Sequence, residues 1–132
     1  MKIAADTNVL LRDVLRDDRI QSPLARKELE GAELVVISTP VFCEFVWVLR
    51  HLYRKPAPEV ADAIRFLIDS ENVATDRAAV DAGLEILDKG GDFADGVIAY
   101  EGHWLGAEEF VSFDRHAVAL LRAQAQKARL LS

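Results

Sequence analysis

The sequence predicts an α/β fold: a three-layer α/β/α sandwich with a central parallel sheet of about five strands. Short apolar runs rich in β-branched residues alternate with longer segments of helical periodicity along the 132 residues. Strands separated by helices need crossover connections, and these produce parallel sheets covered on both faces. No repeat, linker or low-complexity tract interrupts the alternation. Residues 1–132 are therefore expected to form a single domain.

Each element has a local signature in the sequence. Five apolar runs predict strands, at 2–5, 33–38, 72–75, 109–113 and 128–132. Seven longer segments predict helices, at 8–16, 22–32, 39–55, 57–71, 76–91, 92–106 and 114–125. Ser22 and Thr39 are expected to be N-caps because each precedes a proline suited to a first helical turn. Gly31 and the pair at 90–91 are expected to end helices.

Composition narrows the class of protein. Hydrophobic residues make up 51% and charged residues 29% of the chain, as in globular proteins. No signal peptide and no apolar stretch of membrane-spanning length is recognised, and the single Cys43 cannot form an internal disulfide. A cytoplasmic location is therefore expected. The net charge of −6 argues against a protein that coats nucleic acid but is compatible with a nuclease whose acidic site binds metal cations.

Acidic residues recur where strands are expected to end. Asp6 follows the first predicted strand, and Asp114 follows the fourth. Asp92 and Asp95 open one helix, three residues apart and so on one face. Glu44 lies one turn into the helix that follows the second strand. The carboxyl ends of parallel strands meet at one edge of an open sheet, which is where such folds bind ligands.

A structural role competes with a ligand role for most of these acids. Asp6 and Asp114 could each cap a helix, and Asp92 with Asp95 has the spacing of a capping pair. Glu44 lies among apolar residues on a helix that is apolar nearly all round, so neither capping nor ion pairing explains it. A buried carboxylate would need a cation or a proton.

Clustered carboxylates would favour a divalent cation. Two of them at ~4 Å repel by roughly 4 kcal/mol at an effective dielectric of 20. A set of oxygen ligands without His or Cys favours Mg²⁺, with Mn²⁺ as a substitute. Such an ion beside a phosphodiester would activate water for hydrolysis, with one ion or two.

Four separated segments resemble the motifs of PIN-domain ribonucleases and, within them, of the VapC-type toxins of prokaryotic toxin–antitoxin pairs. The segments are AADTNVLLR, TPVFCEFVWVL, DFADGVIA and FVSFDRH, in that order over essentially the whole chain. Gly96 departs from the pattern, since Ala commonly follows the third acid of the family. This glycine raises a question about the rigidity of its helix rather than about the chemistry.

The resemblance implies a PIN-like fold and a magnesium-dependent endoribonuclease that cleaves single-stranded or loop RNA. It implies a homodimer, open to higher-order assembly with a cognate antitoxin protein folded over the site. The implied catalytic residues and metal ligands are Asp6, Glu44, Asp95 and Asp114, with Asp92 assisting. Thr7, Asn8 and Ser112 would support the ligands without contacting the metal. Asn8 and Ser112 would hydrogen-bond the carboxylates and orient them.

Candidate phosphate contacts are Arg115, which adjoins a proposed ligand, and Arg12 on the first helix. His116 is expected to have a surface or partner role. Two other classes stay open. The first is a PIN-like module that binds RNA or protein without cutting, for which loss of acids would be the sign. The second is a phosphoaspartate phosphatase or receiver-like domain, but Asn8 stands where the phosphatases need a second Asp, and no late lysine is evident for a receiver.

Overall fold

The computed structural model describes residues 1–132 and confirms the α/β class. Its strands are β1 (Lys2–Ala4), β2 (Leu34–Val36), β3 (Val73–Ala74), β4 (Phe110–Ser112) and β5 (Ala128–Leu130). Its helices are α1 (Thr7–Leu15), α2 (Gln21–Gly31), α3 (Thr39–His51), α4 (Ala57–Ile68), α5 (Arg77–Asp88), α6 (Phe93–Trp104) and α7 (Arg115–Ala123). Every predicted strand and helix is present in the predicted order. The ends differ by a few residues, most at the C-terminus of α3.

The chain divides into two compact units, an N-terminal unit (Met1–Arg77) and a C-terminal unit (Ala78–Ser132). In the N-terminal unit β1, β2 and β3 form a parallel sheet in which Ile3 pairs with Val35 and Val35 with Val73. In the C-terminal unit β4 and β5 form a parallel pair. The strands thus join by hydrogen bonds into sheets of three and two. The single sheet of about five strands and the single domain over 1–132 stay predictions.

The core of the N-terminal unit is built on the central strand and on the buried faces of its helices. Val35 and Ile37 are fully buried, and α3 contributes Phe42, Phe45 and Leu49. The spacing of these three helical residues gives one apolar stripe on α3, so the opposite side of that helix is free to face solvent.

The core of the C-terminal unit holds α6 and α7 in place. Ile86, Val118, Leu121 and Ala128 form one apolar cluster between α5, α7 and β5. The ring of Phe93, at the first position of α6, is fully buried. Burial of these apolar side chains stabilises the packing of α6 and α7 in this unit.

Two predicted caps are wrong. The N-cap position of α2 is Ile20, and the side chain that accepts from its first turn is Asp18, whose Oδ1 receives the N–H groups of Ile20 and Gln21. Thr39 is the first residue of α3 and follows the N-cap Ser38. In both cases the chain enters the helix earlier than the position of the proline suggested. No helix of this fold combines the length and the apolar character that crossing a membrane requires.

Candidate active site

The third predicted motif forms the start of α6. Asp92 is the N-cap, and its Oδ1 accepts the N–H of Ala94 at 3.1 Å. Asp95 lies in the first turn, and its N–H donates to the Asp92 carbonyl at 3.1 Å. The Asp92 side chain therefore has the expected capping role, while the Asp95 carboxylate has no such bond and is half-buried.

The fourth motif forms the start of α7. Asp114 is the N-cap, and its Oδ1 accepts the N–H groups of His116 at 2.9 Å and Ala117 at 3.1 Å. The Ser112 hydroxyl accepts the N–H of Asp114 at 2.9 Å. Ser112 was predicted to bond a carboxylate, whereas in the structure it fixes the backbone of the residue that carries one.

The charges of these acids act on one another within the C-terminal unit. The pKa of Asp95 is raised above 3.8, first by burial and then by the negative charges of Asp92 and Asp114. A carboxylate in the first turn of a helix is normally favoured by the helix dipole. At Asp95 the burial of the carboxyl group and the nearby negative charges outweigh that effect, so the ionised form of this side chain is destabilised.

Close packing of two helices sets the position of Asp95. A Cβ at Gly96 would lie 2.3 Å from the carbonyl oxygen of Ala82 in α5, and one at Gly83 would lie 2.6 Å from the Phe93 ring. The two glycines let α6 approach α5 backbone to backbone. The sequence raised the question whether Gly96 makes α6 less rigid. Its close packing against α5 holds α6 in place near the acids, so Gly96 does not loosen the helix there.

A hydrogen bond links the turn before α6 to the start of α7. The Nε2–H of His116 donates to the Gly90 carbonyl at 3.2 Å, since a carbonyl oxygen can only accept. Gly90 has φ of +89°, which favours glycine at the end of α5. The bond joins the segments that carry Asp92 and Asp114. For His116 the sequence predicts only a surface or partner role. A single histidine next to an acid in the sequence does not indicate this contact with Gly90.

In the N-terminal unit, Asp6 stands between β1 and α1 as expected. It is the N-cap of α1, and its Oδ1 accepts the N–H of Val9 at 3.1 Å. Thr7 is buried at the first position of the helix, and Asn8 is exposed at the second. No hydrogen bond joins the Asn8 amide to a carboxylate, so the orienting role inferred for it has no contact in the structure.

The prediction that Glu44 is buried is wrong. Glu44 is exposed, because the buried residues of α3 lie on the opposite stripe of the helix. The residues next to Glu44 in the sequence are apolar, but they do not surround its side chain in the structure. Trp47, three residues further along the helix, is itself 51% exposed. The role of Glu44 as a ligand stays a prediction, but burial no longer supports it.

Capping and metal binding are compatible for the three capping acids. In Asp6, Asp92 and Asp114 the hydrogen bonds from the backbone all go to Oδ1, and Oδ2 accepts none. A carboxylate has lone pairs on both oxygens, so one can hold the helix while the other faces a ligand. The sequence left a capping role and a ligand role open for these acids, and the two roles are therefore not exclusive.

The two arginines proposed as phosphate contacts differ in environment. Arg12 Nη1 donates to Asp17 at 2.9 Å and its Nη2 to the Tyr53 hydroxyl at 3.2 Å. These contacts, the Tyr53 hydrogen bond first, raise the pKa of Arg12 above its usual value, so its guanidinium stays charged but is already engaged. Arg115 is exposed in the first turn of α7 and is free of such contacts. Arg115 is the better placed of the two to meet a phosphate.

The acids fit a hard divalent cation by their chemistry. The donors are all carboxylate oxygens, and the electrostatic cost at Asp95 is of the kind that a cation offsets. No group of three or more His, Cys, Asp or Glu side chains is arranged so that it could hold a metal ion. The acids therefore suit a divalent cation in donor type and charge, but they do not form a complete set of metal ligands.

The comparison with known families decides what these motifs belong to. The model of the PIN domain matches residues 3–122, which contain all of the acids described above. The chain belongs to the PIN domain family. No curated protein matches it.

Membership of the PIN family supports the α/β interpretation and a nuclease fold, since PIN domains are commonly nucleases of the hydrolase class. Such nucleases typically use divalent metals. The features of this PIN domain that sequence analysis missed are the helix contact at Gly96 and the bond from His116. Both depend on which elements meet, and neither has a local signature.

Proposed function

We propose that this PIN domain protein is a magnesium-dependent endoribonuclease and the toxin of a VapBC-type toxin–antitoxin pair. The observation that carries the catalytic part is Asp95. Its carboxylate is half-buried at the start of α6, and its charge is opposed by Asp92 and Asp114. The repulsion that Asp92 and Asp114 exert on the charge of Asp95 is of the kind that a cation offsets. The toxin role rests on the resemblance of the four motifs.

Asp95 and Asp114 would hold the ion with Asp92 assisting: the two caps, Asp92 and Asp114, through their free oxygens, and Asp95 through a carboxylate that makes no capping bond. Asp6 and Glu44 are the other ligands that the resemblance implies. When bound, a divalent cation supplies Lewis-acid activation of water and neutralises the leaving oxygen of a phosphodiester. The chain itself holds the carboxylates at helix starts, where backbone N–H groups fix one oxygen of each cap. Arg115 would contact the phosphate of the RNA.

The test is RNA cleavage by the full chain with Mg²⁺, with Mn²⁺ and with EDTA. Asp95→Asn keeps the size of the side chain and removes the charge, so cleavage should fall to background. Asp62→Asn is the matched control, since Asp62 is an exposed acid on α4 outside every motif. Cleavage that persists in EDTA, or that survives in Asp95→Asn, would refute the proposed mechanism.

Metal binding can be tested without reference to activity. Mg²⁺ or Mn²⁺ that binds only the folded protein should raise Tm with increasing concentration. The rise should be lost in Asp95→Asn and kept in Asp62→Asn. An equal rise in both variants would show that the ion binds elsewhere.

The partners of the proposed toxin are a cognate antitoxin and a second copy of the chain, in the cytoplasm. Expression of the wild-type chain in a bacterium should arrest growth, and Asp95→Asn should not. Co-expression of the antitoxin should restore growth, and the purified complex should cleave RNA more slowly than the free chain. A complex as active as the free chain would argue against the toxin–antitoxin assignment.

A PIN-like module that binds RNA or protein without cutting is the second candidate. One observation favours it: no group of three or more His, Cys, Asp or Glu side chains is arranged to hold a metal ion. RNA binding without cleavage in every metal would support this candidate over the nuclease.

A further inference from the structure

One face of α3 carries an exposed pair of stacked rings. The indole of Trp47 and the imidazole of His51 have centroids 4.9 Å apart and planes 21° from parallel. Both residues are exposed, and Trp47 keeps 51% of its surface in contact with solvent. Single exposed aromatic rings are common on protein surfaces, and what sets this one apart is that its indole is stacked on a second exposed ring.

The ring pair is held in place by the helix. His51 Nδ1–H donates to the Trp47 carbonyl at 3.0 Å, which fixes the imidazole, and the indole stacks on it. The free face of the stack is thus prepared before any ligand arrives, so little side-chain entropy is lost on binding.

The surroundings of the rings are cationic in a chain of negative net charge. No Asp or Glu occurs between Glu44 and Glu59, and the same segment carries Arg50, Arg54 and Lys55. Lys55 Nζ lies 3.8 Å from Glu59 Oε1, so the two arginines are the unpaired cations. Arg54 is exposed and makes no hydrogen bond or ion pair with the protein. Arg50 Nη1 donates to the Lys55 carbonyl at 2.9 Å, a contact that leaves its charge unpaired. Unpaired cations beside aromatic faces fit single-stranded nucleic acid, in which phosphates and bases alternate.

The rings also share a helix face with a proposed catalytic acid. Glu44, Trp47 and His51 are spaced i, i+3 and i+7, and all three are exposed. Along the helix axis Trp47 lies ~4.5 Å from Glu44 and His51 lies ~10.5 Å from it. A nucleotide beside one held at Glu44 could therefore reach the rings.

We infer that the exposed ring pair of Trp47 and His51 on α3, together with Arg50 and with Arg54 just after the helix, is a base-stacking subsite for single-stranded RNA. A base stacks on the Trp47–His51 pair, and the flanking phosphates contact the two arginines. This subsite rests on the proposed function for the RNA that it holds, but its binding requires neither metal nor cleavage. An apolar partner protein explains the tryptophan but not the unpaired cations.

The chain contains two tryptophans, so Trp104→Phe leaves Trp47 as the only indole. In that background and in EDTA, a mixed-sequence single-stranded RNA of about ten nucleotides should quench the Trp47 fluorescence. A double-stranded RNA of the same sequence, whose bases are already stacked, should quench it much less. Equal quenching by both, or none by either, would overturn the inference.

Variants separate stacking from apolar contact. In the intact chain in EDTA, Trp47→Ala and Trp47→Leu should each weaken RNA affinity about tenfold, and Trp47→Phe should restore most of it. Phe66→Ala removes another exposed ring of the same unit and should change nothing. Arg54→Gln should reduce the slope of log K against log salt by about 0.7. Wild-type affinity in Trp47→Leu would show that stacking is not involved.

The molecular mass in solution distinguishes an RNA surface from a surface between copies. If Trp47→Ala converts a dimer to a monomer while RNA affinity is unchanged, the face is a self-association interface and the inference is wrong. The nuclease can fail separately. If RNA quenches Trp47 in a chain that cleaves nothing with Mg²⁺, the nuclease is refuted and the subsite is retained.

Discussion

The two units of this PIN domain protein present their acids in different ways. In the C-terminal unit Asp92, Asp95 and Asp114 interact, and the pKa of Asp95 is raised by burial and by its two neighbours. In the N-terminal unit Asp6 is an exposed helix cap, and Glu44 is exposed on the side of α3 opposite to its core stripe. The acids of the two units thus differ in burial, and the raised pKa of Asp95 marks where a cation would have most effect.

The largest expected effect tests that difference in catalysis. Asp95→Asn should lower Mg²⁺-dependent RNA cleavage by about 100-fold or more, because it removes the charge that the cation offsets. Glu44→Gln should lower it by only about tenfold. Initial rates under subsaturating RNA measure both. An equal loss in the two variants would show that the acids of the units contribute alike.

The next effect tests the packing that holds Asp95. Gly96→Ala would place a Cβ 2.3 Å from a backbone carbonyl, which cannot move as a side chain can. We expect a loss of about 2–3 kcal/mol in the free energy of unfolding, measured with urea. Gly102→Ala in the same helix is the control, since its added Cβ meets only Ala107 at 3.8 Å. It should stabilise the protein by up to ~1 kcal/mol. Similar results for both glycines would contradict the close contact of α5 and α6.

A smaller effect compares the two strand-to-helix caps. Asp114 accepts two N–H groups and Asp6 accepts one. Asp114→Ala should therefore cost about 1–2 kcal/mol of stability and Asp6→Ala about 1 kcal/mol. Asp114→Asn should keep most of the cap while losing cleavage, which separates the structural from the catalytic role. If Asp114→Asn unfolded as readily as Asp114→Ala, capping would not be what Asp114 contributes.

The smallest effect is a gain in stability at Asp95. Because the folded-state pKa of Asp95 is raised above 3.8, the folded protein binds this proton more tightly than the unfolded chain does. The resulting stability is present below pH 3.8 and is lost as pH rises through the raised pKa. Asp95→Asn should therefore stabilise the metal-free protein at pH 7, by less than ~1 kcal/mol because solvent screens a half-buried group.

The pH dependence of that gain is its control. The difference in Tm between Asp95→Asn and wild type in EDTA should shrink as pH falls toward 4. A difference that is constant with pH would attribute the gain to packing rather than to charge. Mg²⁺ at pH 7 should narrow the difference by stabilising the wild type alone.

The sequence by itself determined the elements and the family. The strand runs, the helix periodicities and the acids after strands are local patterns, and local patterns are set by side-chain size, polarity and spacing. This is why the five strands, the seven helices and the positions of Asp6, Asp92 and Asp114 at helix starts were predictable. The PIN motifs were recognisable because each lies within one short segment.

Only the tertiary structure decided which side of each element meets the core. Glu44 was expected to be buried because its sequence neighbours are apolar, but α3 buries one stripe and leaves Glu44, Trp47 and His51 exposed. Gly96 was expected to loosen α6, but it permits the contact with Ala82 that positions Asp95. Burial and close approach depend on residues far apart in the chain, so no local pattern could have determined them.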